Sequence, residues 1–148
     1  MLAQEIDFHD IFKIHPTCMV LLNADLVILD ANDEFLSAVG RKLEDLIGRN
    51  FYDEFPKLPE DSGGRPKWTA LDEAMTSGRR QCDQLLRYDM EDPDRPGVFV
   101  EHWITTLAQP IRGTDGHVQV IELSLRDITP VIEQYRAQCA ESEESVQL

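Results

Sequence analysis

The chain has 148 residues, enough for one domain with a modest core. It carries 14 basic against 28 acidic side chains, a net charge of −14, which argues against a nucleic-acid surface and against contact with anionic membranes. Hydrophobic content is 42%, normal for a soluble globular protein, and no apolar run approaches the ~20 residues needed to span a bilayer.

The N-terminus, MLAQEIDFHD, is acidic and lacks a charged-then-apolar signal layout, so the expected location is cytoplasmic. Cys18, Cys82 and Cys139 are widely spaced, with no metal-ligand or redox spacing, and read as free thiols in a reducing compartment. Asp7 to Ile14 is predicted as a short amphipathic helix with Phe8, Ile11 and Phe12 on one face, ended by Pro16. Val20-Leu21-Leu22 begins a first strand, Asn23-Ala24-Asp25 turns the chain, and Val27-Ile28-Leu29 is a second strand. Asn32 ends that strand in a structural role, bonding the turn and starting a helix with Phe35, Leu36 and Val39 on its face and Gly40 at its end.

Leu43, Leu46 and Ile47 line a further short helix closed by Gly48, and Asn50 to Phe55 forms another, stopped by Pro56 and Pro59. Glu60 to Pro66 is rich in turn and breaker residues and reads as a mobile loop. It lacks the Lys-Ser/Thr spacing of a phosphate loop. Lys67 to Ser77 is the longer helix, with Trp68, Leu71 and Met75 at three- and four-residue spacing and Gly78 at its end.

Gln81 to Tyr88 reads as the third strand, followed by a charged loop through Pro93 and Pro96. The fourth strand runs from Phe99 to Pro110, where the missing donor requires the strand to end or to lie at an edge. Gly113 to Gly116 is a turn, and Val118 to Arg126 alternates Ile121, Leu123 and Leu125 with polar residues, the pattern of a sheet with one buried face. Asp127-Ile128-Thr129-Pro130 is a helix start, with Thr129 as cap and Pro130 at the first helical position. Ile128, Ile132, Tyr135, Cys139, Ser142 and Val146 follow at heptad spacing, which favours a dimer seam over a lone helix folded back on its own sheet. Two strand groups separated by bunched helices give an α+β class with an antiparallel sheet.

These residues resemble a known family. The final strand running into Asp127-Ile128-Thr129 looks like the end of a PAS domain, where this triplet couples the sheet to a signalling helix. Asn32-Asp33-Glu34-Phe35 resembles the family's Asn-x-x-Phe turn, and Gly40-Arg41 with Leu43 to Arg49 resembles its next short helices. The likeness covers about Asp7 to Glu133. It looks closest to PAS domains at the front of bacterial signalling proteins, often histidine kinases.

The resemblance implies a PAS fold: a five-stranded antiparallel sheet, short helices over one face, a pocket between them and a C-terminal signalling helix. It divides the chain into an N-terminal helical cap (1–16), a core (17–129) and an exit helix (130–148) leading to an output domain beyond this chain. Strand alternation nominates Ile121, Leu123 and Leu125 as pocket wall. Likeness to flavin-binding members adds His102, Ile104, Thr106 and Ala108, with Leu85 and Arg87 from the third strand and Leu71 and Met75 from the helix.

An arginine inside such a pocket needs an anionic partner, because an unpaired buried charge is costly. That partner is either a ligand carboxylate or phosphate, or a surface acid such as Asp89 or Glu101. For His102, a structural hydrogen bond is favoured over ligand contact. Trp103 falls on the opposite face, beneath the N-terminal helix or at a dimer contact.

No catalytic or metal-binding set appears among the four histidines and their surroundings, and the chain reads as a regulatory domain, not an enzyme. The Asn-Cys-Arg-Phe motif of covalent flavin binding is absent, as is a histidine on the Lys67–Ser77 helix for haem; the cofactor is left unassigned, with a flavin held non-covalently and another small organic ligand both left open. The implied function is a sensor domain of a two-component or similar system. A ligand would shift the last strand, and Asp127 and Thr129 would relay that change to the exit helix. Phe8, Phe12, Trp103, Ile128, Ile132 and Tyr135 would form a homodimer interface. The rival reading is a ligand-free dimerisation module with its pocket packed shut.

Overall fold

Asp7 opens the first helix by accepting the His9 N–H, and α1 (Phe8–Ile14) follows without fully burying any residue. The computed structural model describes residues 5–55, 68–82, 85–92 and 94–146. Two strands come next, β1 (Cys18–Asn23) and β2 (Ile28–Ala31), antiparallel to one another. The Asn23 side chain forms the turn between them by accepting the N–H groups of Asp25 and Val27.

Helices α2 (Asp33–Val39), α3 (Leu43–Leu46), α4 (Phe51–Glu54) and α5 (Thr69–Ser77) then cover one face of the sheet. Gly40 and Gly78 end α2 and α5 in the left-handed conformation, at φ 65° and 67°. The predicted stops at Pro56 and Pro59, the loop from Glu60 to Pro66 and the helix start at Lys67 lie outside the described residues.

The predicted third strand arrives in two segments, β3 (Gln81–Cys82) and β4 (Leu86–Glu91), both antiparallel to β5 (Phe99–Arg112). β6 (Val118–Asp127) lies between β5 and β1, giving the order β2-β1-β6-β5 with β3 and β4 both beyond β5. The six segments thus occupy the five strand positions of the expected antiparallel sheet. α6 (Thr129–Val146) leaves from the end of β6.

β5 runs on through Pro110, which pairs with Ile121, to Arg112. Pro110 is tolerated because β3 reaches only as far along β5 as Ala108, so among the described residues the strand has an open side there.

The sheet's inner face and the helical layer share one core. Val20, Leu22, Ile121 and Leu123 are fully buried on the strands, Phe51 and Leu71 on the helices. Phe35, Phe51, Phe55 and Trp68 form an aromatic group beneath α2 and α5, with the Phe51 and Trp68 rings edge to face at 4.9 Å. The Trp68 indole N–H is satisfied by the Phe55 carbonyl at 2.9 Å.

Candidate functional site

The space between α5 and the inner face of β5 and β6 is where the sequence places a pocket. α5 turns Leu71 fully into it, because Leu71 shares a helical face with the buried Ala70 and Ala74. From β5 come Ile104, Thr106 and Ala108, and from β6 Ile121 and Leu123, all buried, with Leu125 partly buried beside them. Leu71, Ala108, Ile121 and Leu123 share one buried cluster with Leu125 packed against it, while Ile104 is buried outside that cluster.

Met75 is only partly buried. It also lines an open cleft of about 410 Å³ with Ala24, Thr76, Ser77, Gly78, Arg112, His117 and Val118. A second open cleft, of about 380 Å³, is lined by Asp72, Glu73, Thr76, Ser77 and Gln81.

Leu85 and Arg87 do not join this wall. Leu85 is 43% exposed. Arg87 pairs in register with Trp103, on the opposite face of the sheet. Its guanidinium meets Asp89 at 3.0 and 3.3 Å and Glu101 at 3.8 Å. The surface ion pair is therefore the arrangement found, and an inward arginine awaiting a ligand is corrected.

The cause is a one-residue step in register. Gln81 pairs with Ala108 in β3, but Leu86, and not Leu85, pairs with Ile104 in β4. One residue of slip exchanges the two faces of a strand.

At the far end of the inner face, β5, β6 and α6 are bound together. The His102 Nδ1–H meets Asp127 Oδ2 at 2.8 Å, while Asp127 Oδ1 accepts the Thr129 N–H at 2.8 Å. Thr129 Oγ1 in turn accepts the Trp103 N–H, and the Trp103 carbonyl accepts the Ile128 N–H, each at 2.8 Å. Burial pushes the Asp127 carboxyl up, but the bonds from Thr129 and His102 outweigh it and hold the group below the ordinary carboxylate value. The expectation that the Thr129 hydroxyl caps α6 is thus corrected. It is spent on β5, and Asp127 holds the first turn.

On the outer face Trp103 lies under α6 and not under α1. Glu101 Oε1 accepts the Trp103 indole N–H at 2.5 Å and an Arg136 N–H at 3.3 Å, and the Arg136 guanidinium lies 5.6 Å from the Trp103 ring centre. The indole bond foremost lowers the Glu101 carboxyl, and Arg87 and Arg136 add to it. The sequence reading did not single out Arg136. The available signal was its spacing, four residues after Ile132 and eight after Ile128, the half-buried side of α6.

Of the other proposed interface residues, Phe8 is 75% and Tyr135 65% exposed, while Phe12, Ile128 and Ile132 are half-buried. No group of three or more His, Cys, Asp or Glu among the described residues could hold a metal ion. No helix among them is long and apolar enough to cross a membrane.

The family model described as the PAS fold matches residues 14–133. This chain belongs to the PAS family. No curated protein matches it in sequence. Among solved structures, the PAS domain of a protein from Colwellia psychrerythraea is similar, with TM-score 0.61 and 19% identity over 87% of this chain and 98% of that one. A sensory box sensor histidine kinase from Vibrio cholerae gives TM-score 0.55 and 18% identity, over 86% and 93%. An RNA-binding light-oxygen-voltage receptor gives TM-score 0.63 and 18% identity; this PAS domain spans 95% of itself but only 37% of that receptor. At such identities the likeness carries the fold. PAS domains are in general sensory and not catalytic.

Proposed function

We propose that this PAS domain is the sensor and regulatory module of a bacterial signal-transduction protein. A small molecule held between α5 and the inner face of β5 and β6 biases the end of the sheet. Asp127 and Thr129 pass that bias to α6 and on to an output domain such as a histidine kinase. The observation that carries this reading is the junction itself: Asp127 bonds His102 of β5 and Thr129 of α6 through its two oxygens. A ligand touching the strand end therefore has a short bonded route to the exit helix. For a signal to result, the ligand must bind the two arrangements of that junction with different affinity.

A second reading is favoured by a different observation. Leu71, Ile121 and Leu123 are buried in full by protein atoms, while α1 and α6 offer Phe8, Ile14, Val131 and Tyr135 to solvent. That distribution suits a module that pairs two chains with its core packed shut.

Native mass spectrometry of the purified chain, compared with its denatured mass, separates the two. The sensor reading expects a small added mass that is lost on denaturation. A bare mass that stays bare on incubation with a metabolite extract would overturn it in favour of the pairing module.

A further inference from the structure

Four side chains from three elements meet on the outer face where α6 leaves the sheet. Glu101 and Trp103 alternate along β5, Arg136 comes from the second turn of α6, and Arg87 reaches over from β4. One carboxylate accepts two hydrogen bonds and pairs with a third, more distant cation. Trp103 Nε1 lies 2.5 Å and Arg136 Nη1 3.3 Å from Glu101 Oε1, and Arg87 Nη2 lies 3.8 Å from Oε2. The Trp103 ring, fixed by its indole bond, also offers Arg136 its face. Past Arg136 the helix is exposed through Glu144.

We propose that Glu101 is a positioning residue for the exit helix: its carboxylate, shared between Arg136 of α6 and Arg87 of β4, sets how firmly α6 lies on the sheet. Two cations competing for one anion make the hold on each depend on the other. Asp89 pairs in register with Glu101 and already takes two bonds from Arg87, so the sharing is uneven and tunable. A displacement of β4 that draws Arg87 toward Glu101 loosens α6, and one that withdraws it tightens α6. The output consequence rests on the relay reading above, but the anchoring does not. It is measured in this chain without ligand or output domain.

The test is amide hydrogen exchange across residues 132–140 in the unaltered chain and in single variants. Glu101→Gln and Arg136→Gln should each speed exchange there by about two- to fivefold, the scale of exposed ion pairs. The difference should fade in about 1 M salt, where the screening length shrinks to a few ångströms. Arg87→Gln should slow exchange, because Arg136 loses its competitor. Arg136→Gln is on an exposed helix and leaves the core untouched, so it reports even if a strand variant misfolds.

Unchanged exchange in Arg136→Gln would overturn the anchoring. Unchanged or faster exchange in Arg87→Gln would overturn the sharing. An intact anchor in a chain that takes up no ligand would instead count against the sensor reading and leave this inference standing.

Discussion

Asn32 is fully buried, and every polar atom of its side chain is used. Its oxygen accepts the N–H groups of Met19 and Phe35, and its amide donates to the carbonyls of His15 and Thr17. One side chain thereby joins the segment after α1, strand β1 and the start of α2. Replacing it leaves several buried backbone groups without partners, each worth about 1–3 kcal/mol. Asn32→Ala should therefore cost about 3 kcal/mol, seen as a lower urea midpoint with an unchanged slope.

Glu54 illustrates the acid side. The Arg41 guanidinium at 2.8 Å, helped by Arg49, holds its carboxyl below the ordinary 4.5. A lowered value means that the folded state holds its proton less tightly than the unfolded chain. The contribution is thus complete above 4.5 and is lost as the pH falls through the lowered value. Thermal melts of Glu54→Gln should show a smaller loss of stability between about pH 5 and 3 than the unaltered chain shows.

Asn32 was legible in the sequence as a structural amide because its cap on α2, through the Phe35 N–H, is local; its bonds to His15, Thr17 and Met19 lie far along the chain and were not. Arg87 was not, because its face depends on a register step between β3 and β4 that alternation within one strand cannot reveal.

At the scale of elements, the long hairpin of β5 and β6 and its exit into α6 were read directly from the chain. Period-two alternation, a Gly-Asp turn cluster and the Asp-Ile-Thr-Pro start are all short-range signals. What escaped was which partner each polar atom of the exit takes. The Thr129 hydroxyl serves either its own helix or a neighbouring strand, and only the spatial closeness of Trp103 decides between them. Asp127 is the crossing point of this junction. Asp127→Ala frees His102 and the first turn of α6 while leaving the buried core in place. The melting temperature should fall by only a few degrees. On the sensor reading, the output of a protein that carries this domain should lose most of its dependence on the signal. Signalling that persists unaltered would remove Asp127 from the relay.

For the molecule as a whole, the core was legible as a set of residues and its covering was not. Periodicity identified Phe35, Leu46, Leu71, Ile121 and Leu123 as inward, and all are buried, whereas Ile47, read on the same face as Leu46, is exposed. The same periodicity gave α1 an apolar face of Phe8, Ile11 and Phe12, yet the first two are exposed. An amphipathic pattern states that a face needs a partner but not whether that partner is the same chain. On the dimer reading, Phe8→Glu and Tyr135→Glu should each weaken self-association by about ten- to a hundredfold in sedimentation experiments, since each change removes an apolar contact worth roughly 1.5–3 kcal/mol.

One feature of the sheet order bears on how the chain is made. β1 pairs along its whole length with β6, Cys18 against Leu125 and Asn23 against Val120. The first strand to leave the ribosome must therefore wait for the last. Until β6 emerges, the β1 edge of the β1–β2 hairpin is open, and the inner-face residues Val20 and Leu22 have no β6 beside them. Folding of the sheet is thus deferred until β6 has been made. The early chain depends during that interval on its charge, or on a chaperone, to stay free of other strands.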